Sequence, residues 1–124
     1  MLSNLDLALV AERAALVDEM WAEAKRLAGE LRRMGAGEVW LFGSLAKDGV
    51  MLRVTETGTV LDSDIDLVAV METDLPYHKR AIPLLERLDS RFSFDLAVLT
   101  PAEMAHLEWS SFTRELLRTG VKIG

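Results

Sequence analysis

No cysteine occurs in the 124-residue chain. A disulfide framework, a thiolate metal site and a cysteine nucleophile are therefore excluded, and a reducing cytoplasm is the expected setting. Basic charge is also in short supply: 14 Lys and Arg face 20 Asp and Glu, a net charge of −6. Attachment to a nucleic-acid backbone depends on Lys and Arg displacing counterions, so no direct nucleic-acid partner is expected. A nucleotide is a different matter, since metal ions can neutralise its phosphates locally. Long apolar runs are missing too. The stretch from Leu5 to Val10 is broken by Asp6, followed by Glu12 and Arg13, and preceded by no basic segment, so the chain reads as soluble and untargeted, with no membrane partner. No internal repeat, linker or low-complexity segment divides it, and its length suits one domain spanning 1–124.

What is present is a globular composition, 50% hydrophobic and 27% charged. Leu5, Leu9, Leu16, Met20, Ala24, Leu27, Leu31 and Met34 recur in steps of three, four or seven. This spacing predicts a helix over about 3–34, capped by Ser3 or Asn4 and stopped by Gly35-Ala36-Gly37. Leu7, Val10, Ala14, Val17 and Trp21 widen its apolar stripe. Such a helix faces the domain core, and part of the same face is wide enough to form an oligomer or meet a partner subunit.

The remaining core, about 38–124, alternates strands and helices. Val39 to Phe42 reads as a buried strand leading into a short helix from Ser44 to Lys47. Asp48 to Ser63 reads as a small β-excursion or a loop, and Ile65 to Met71 as an interior strand. A helix is expected over about Pro76 to Leu88, and Pro83 splits it into two shorter pieces. Phe92 to Leu99 reads as a third strand, Pro101 opens another helical stretch, and Phe112 to Arg118 is helical until Gly120. Val121-Lys122-Ile123 can add an edge strand. The order implies an α/β or α+β domain.

Chemistry concentrates in two places. Asp64 and Asp66 stand two apart at the start of a strand and so project from one face. Two like charges on an apolar strand repel and raise one another's pKa unless a cation sits between them. Hard carboxylate oxygens select Mg²⁺ or Mn²⁺, which keep water and take further ligands from substrate phosphates. Asp95 is the lone charge in Phe92 to Leu99, and it joins the pair if the two strands are neighbours. The other place is Gly43-Ser44 at a strand-to-helix turn. Glycine there lets the backbone approach a phosphate while amides and a hydroxyl donate to it. Asp62 reads as loop surface, His78 and His106 as ordinary surface or partly buried residues, and Trp21, Trp40 and Trp109 as core or interface.

Phe42-Gly43-Ser44-Leu45-Ala46, Ser63-Asp64-Ile65-Asp66-Leu67 and Asp95-Leu96-Ala97-Val98-Leu99-Thr100 together resemble the DNA-polymerase-β-like nucleotidyltransferases. Within that superfamily the chain is most similar to the minimal nucleotidyltransferases, the antitoxin partners of HEPN-type toxins. The likeness runs from about Val39 to the end and takes in Phe112 to Gly120. It implies the nucleotidyltransferase fold, a small mixed sheet flanked by helices. It further implies that Gly43, Ser44 and Lys47 bind the nucleotide, and that Asp64, Asp66 and Asp95 are catalytic and hold two Mg²⁺ or Mn²⁺ ions. The implied activity is transfer of a nucleoside monophosphate, AMP from ATP, to a hydroxyl of a HEPN-type helical toxin protein. The alternatives are an antibiotic-type enzyme needing a second helical subunit and an antitoxin that acts by binding alone. Two departures stand out: 19 residues lie between Ser44 and Asp64, and Lys47-Asp48 replaces the family's Arg-Gly.

Overall fold

The computed structural model describes residues 3–50, 52–56, 58–61, 64–106 and 111–124, with 52–55, 58–61, 112 and 113 described by backbone alone. Helix α1 runs Asn4–Arg33. Ser3 is its cap, through a reciprocal pair in which the Asp6 amide donates to Ser3 Oγ and the Ser3 amide donates to Asp6 Oδ2. The helix ends at Met34, and Gly35 then takes φ +111, a conformation suited to glycine. Strand β1 (Glu38–Phe42) leads directly into the single turn α2 (Gly43–Ala46). The excursion after it is a two-stranded antiparallel ribbon, β2 (Leu52–Thr55) with β3 (Gly58–Leu61). Strand β4 is Ile65–Val70.

The expected interruption at Pro83 is present. A 3₁₀ turn at Tyr77–Lys79 precedes the short helix α3, Ile82–Leu85, and Pro83 sits in its first turn, where no amide hydrogen is needed. Then follow β5 (Phe94–Leu99), α4 (Pro101–Ala105), α5 (Ser111–Thr119) and the two-residue β6 (Val121–Lys122). The main sheet has the order β5-β4-β1-β6, with β4 and β5 parallel and the other neighbours antiparallel.

Strand alternation sends side chains to two apolar layers. Val39, Leu41, Ile65, Leu67, Ala69 and Val98 pack with Met20, Ala24, Leu27 and Leu31 of α1. On the opposite face Val68 and Leu99 pack with Leu116 of α5, flanked by Trp40, Phe42, Ala97 and Met104. Each fully buried Leu or Met contributes about 1.5–3 kcal/mol, so the second half of α1 is firmly held.

Its first half is not buried in this way. Leu5, Leu7 and Val10 are 69%, 52% and 58% exposed, and the first fully buried residue is Met20. Length explains the difference from the uniform stripe. Thirty helical residues span about 45 Å, whereas six strand residues span about 20 Å, so the sheet can underlie only part of the helix. Trp21 and Trp40 are partly buried against the core, as expected; Trp109 and Asp62 lie outside the described residues. His78 and His106 are exposed. Among the described residues, no helix is long and apolar enough to cross a membrane.

Candidate active site

The sheet register assembles the site around Asp66. In the antiparallel pairing of β1 with β4, Phe42 lies opposite Asp66; in the parallel pairing of β4 with β5, Asp95 lies opposite it from the other side. Asp66 therefore stands between the end of β1 and the start of β5. Asp64 immediately precedes β4 and shares the face of Asp66 by the two-residue period, while Ile65 between them is fully buried toward α1. All three carboxylates belong to the face covered further along by α5, whose Leu116 packs on Val68 one step beyond Asp66.

Phe42 is extended (φ −137, ψ −173), and Gly43 then reverses the chain with φ +75. Glycine is required there twice over. Few L-residues adopt that dihedral, and a Cβ at this point would land on Asp66 Oδ2, with Asp66 Cγ only 3.1 Å away. The backbone of the turn is thus pressed against the central carboxylate. Ser44 is half-buried beside it, and the Gly49 amide donates to the Ser44 carbonyl at 2.7 Å.

Electrostatically the acids are unbalanced. Burial pushes the Asp66 carboxyl above its usual range, and the charges of Asp95 and Asp64 push it further, with Asp95 also accepting a hydrogen bond from protonated Asp66. None of the salt bridges formed among the described residues involves Asp64, Asp66 or Asp95. Among those residues no three His, Cys, Asp or Glu side chains gather tightly enough to enclose a metal ion. Asp66 and Asp95 are brought together, whereas Asp64 stands exposed at the entrance of the strand.

Lys47 follows α2 and is turned to the C-terminal helix, where its Nζ lies 3.5 Å from Glu115 Oε1. Glu115 also pairs with Arg118 at 2.8 Å, and these two cations hold its carboxyl below the usual range, Arg118 first. Lys47 and Glu115 are each about half exposed, so the pair is screened by water. It joins the Gly43-Ser44 side of the site to α5. Sequence reasoning singles out Lys47 but not Glu115: a contact between residues 68 positions apart leaves no periodic signal.

No model of a known protein family matches the chain, and no curated protein matches it. Among solved structures, it is similar to a protein from Sulfolobus solfataricus assigned as a nucleotidyltransferase and solved at 1.40 Å. The two superpose with a TM-score of 0.56 at 20% identity, over 86% of this chain and 80% of that one. At that identity the likeness establishes architecture: the chain is built on the nucleotidyltransferase fold, a four-strand mixed sheet backed by a long N-terminal helix.

Proposed function

We propose that the chain is a metal-dependent nucleotidyltransferase that moves a nucleoside monophosphate, AMP from ATP, onto a hydroxyl of a partner protein. The observation that carries this reading is the contact of the Gly43 turn with Asp66, itself paired with Asp95. A turn suited to phosphate and a carboxylate pair suited to a cation lie side by side. Structural roles alone give no reason to place the partly buried Asp66 on an apolar strand with no cationic partner among the described residues.

The donor set fits a hard divalent ion. Asp66 and Asp95 would supply oxygen ligands and Asp64 a third from the rim, and a cation there would offset both the burial and the repulsion that raise the Asp66 pKa. Bound there, two such ions would acidify the acceptor hydroxyl and offset charge on the departing pyrophosphate.

The chain's own groups do the rest. Backbone amides and the Ser44 hydroxyl hold the triphosphate, and Lys47 exchanges its Glu115 contact for a phosphate oxygen. The acceptor oxygen bonds to the α-phosphorus as the bond to pyrophosphate breaks, and its proton passes to the Asp95 carboxylate. The exposed apolar side chains of Leu7 and Val10, three apart on α1 and so on one face, give a protein acceptor a surface to cover. Family resemblance names that acceptor as a HEPN-type toxin, with this chain as its antitoxin. The test is mass spectrometry of a co-expressed helical partner after incubation with each nucleoside triphosphate and Mg²⁺ or Mn²⁺. A nucleotide-sized mass gain that Asp66→Asn abolishes supports the reading; no gain with any triphosphate refutes it.

A further inference from the structure

The exit of the Gly43-Ser44 turn is tied to α1. Arg13 Nε donates to the Val50 carbonyl at 2.9 Å, and Arg13 Nη2 donates to the Asp48 carbonyl at 3.1 Å and to Asp48 Oδ1 at 3.2 Å. One guanidinium thus grips both ends of a three-residue segment, a grip that needs its planar fork and that a lysine cannot reproduce. Within the segment Asp48 has φ +55, the one left-handed non-glycine residue in the described chain. That conformation is uncommon for a residue with a side chain and requires support from its surroundings. Next in sequence, the Gly49 amide reaches back to the Ser44 carbonyl at 2.7 Å, and Val50 anchors the segment in the core at 2% exposure.

Resting on the nucleotidyl-transfer reading, we infer that Arg13 is a positioning residue for the phosphate turn. It acts through Asp48 and Gly49. By holding Asp48 left-handed it lets Gly49 bond to the Ser44 carbonyl. A peptide unit is planar, so fixing the Ser44 carbonyl also fixes the Leu45 N–H on the opposite side of that unit, beside the Ser44 side chain. Arg13 touches no reacting atom. Its helix is immobilised against the sheet by Met20, Ala24, Leu27 and Leu31, which makes α1 a rigid reference for the turn.

The test compares wild type, Arg13→Gln and the double variant Arg13→Gln/Asp48→Gly. Three quantities are read: affinity for Mg·ATP by calorimetry, kcat at saturating ATP, and hydrogen exchange of the Gly49 amide. Arg13→Gln should speed Gly49 exchange and weaken Mg·ATP about tenfold, with kcat changed by no more than about threefold. Asp48→Gly should restore most of the affinity, because glycine takes φ +55 without the clamp. Unchanged affinity in a folded Arg13→Gln protein would overturn the proposal, as would failure of Asp48→Gly to restore it. Wild-type protein that binds no Mg·ATP would overturn the reading of the turn itself. Faster Gly49 exchange in Arg13→Gln would then show that the clamp exists but serves only the fold.

Discussion

Gly43→Ala offers the sharpest test of the contact at the centre of the site. Two costs are expected, and they are separable. The first is intrinsic: holding a residue with a Cβ at φ +75 costs about 1–2 kcal/mol. The second arises because the new Cβ overlaps Asp66 Oδ2 and sits 3.1 Å from Cγ of the same residue, tighter than an ordinary contact. Rotating the carboxylate clears the oxygen but not Cγ, so Asp66 leaves its rotamer and the strands adjust, for a further 0.5–1.5 kcal/mol or so. The total, about 2–3 kcal/mol, corresponds to a fall of very roughly 5–15 °C in melting temperature for a domain of this size. Moving Asp66 by an ångström should also cut transfer by about a hundredfold or more. A double-mutant cycle with Asp66→Ala isolates the second cost, since that substitution removes the obstructing atoms. In the Asp66→Ala background, Gly43→Ala should cost only the backbone share. Strict additivity, or a Gly43→Ala protein as stable and active as wild type, would refute the close approach.

Three further outcomes follow from the same geometry. Ser44→Ala should leave stability nearly unchanged, because no side-chain bond caps α2, while transfer falls about ten- to a hundredfold from loss of a charge-assisted hydrogen bond; normal rates in the folded variant would assign the turn a purely structural role. Asp66→Asn should abolish transfer yet raise the metal-free melting temperature at pH 7. The sign follows from its raised pKa: wild-type stability is fullest below the ordinary carboxylate value and falls as pH climbs through the raised one, whereas asparagine is indifferent. A metal-free variant less stable than wild type at pH 7 would contradict it. Glu23 behaves oppositely, because Arg26 first, then the Ser90 hydroxyl and the Arg91 amide, pull its carboxyl from 4.5 to about 2 against the effect of burial. Its contribution is present above about pH 4.5 and disappears as pH falls toward 2. The ceiling is about 3 kcal/mol, reduced to roughly 1–2 by the half-exposed Arg26; acid unfolding of wild type and Glu23→Gln should converge near pH 2 and diverge above pH 4, and parallel curves would exclude the ion pair as a stabiliser.

Much of the architecture was legible because local rules decide it. Ser3 with Asp6 forms a cap by side-chain chemistry three residues apart, and Pro83 cannot occupy the middle of a helix, so a break there needs no tertiary argument. The strand identities of Glu38–Phe42, Ile65–Val70 and Phe94–Leu99 follow from short apolar runs bounded by turn residues. The two-residue period alone puts Asp64 and Asp66 on one face.

Convergence of the acids could not be read in the same way, since it depends on which strands are neighbours and in what register. Only the parallel pairing of β4 with β5 brings Asp95 opposite Asp66, and a slip of one residue would have sent it to the α1 face. Likewise, the sequence marks Gly43 as a turn, but only the antiparallel pairing of Phe42 with Asp66 presses that turn onto a carboxylate. The same limit applies to α1. Its apolar stripe recurs in steps of three, four or seven from Leu5 to Met34, yet burial begins in earnest at Met20, because the sheet is shorter than the helix. Periodicity records which face of a helix is apolar; how much of that face is covered depends on the length of what lies beneath it.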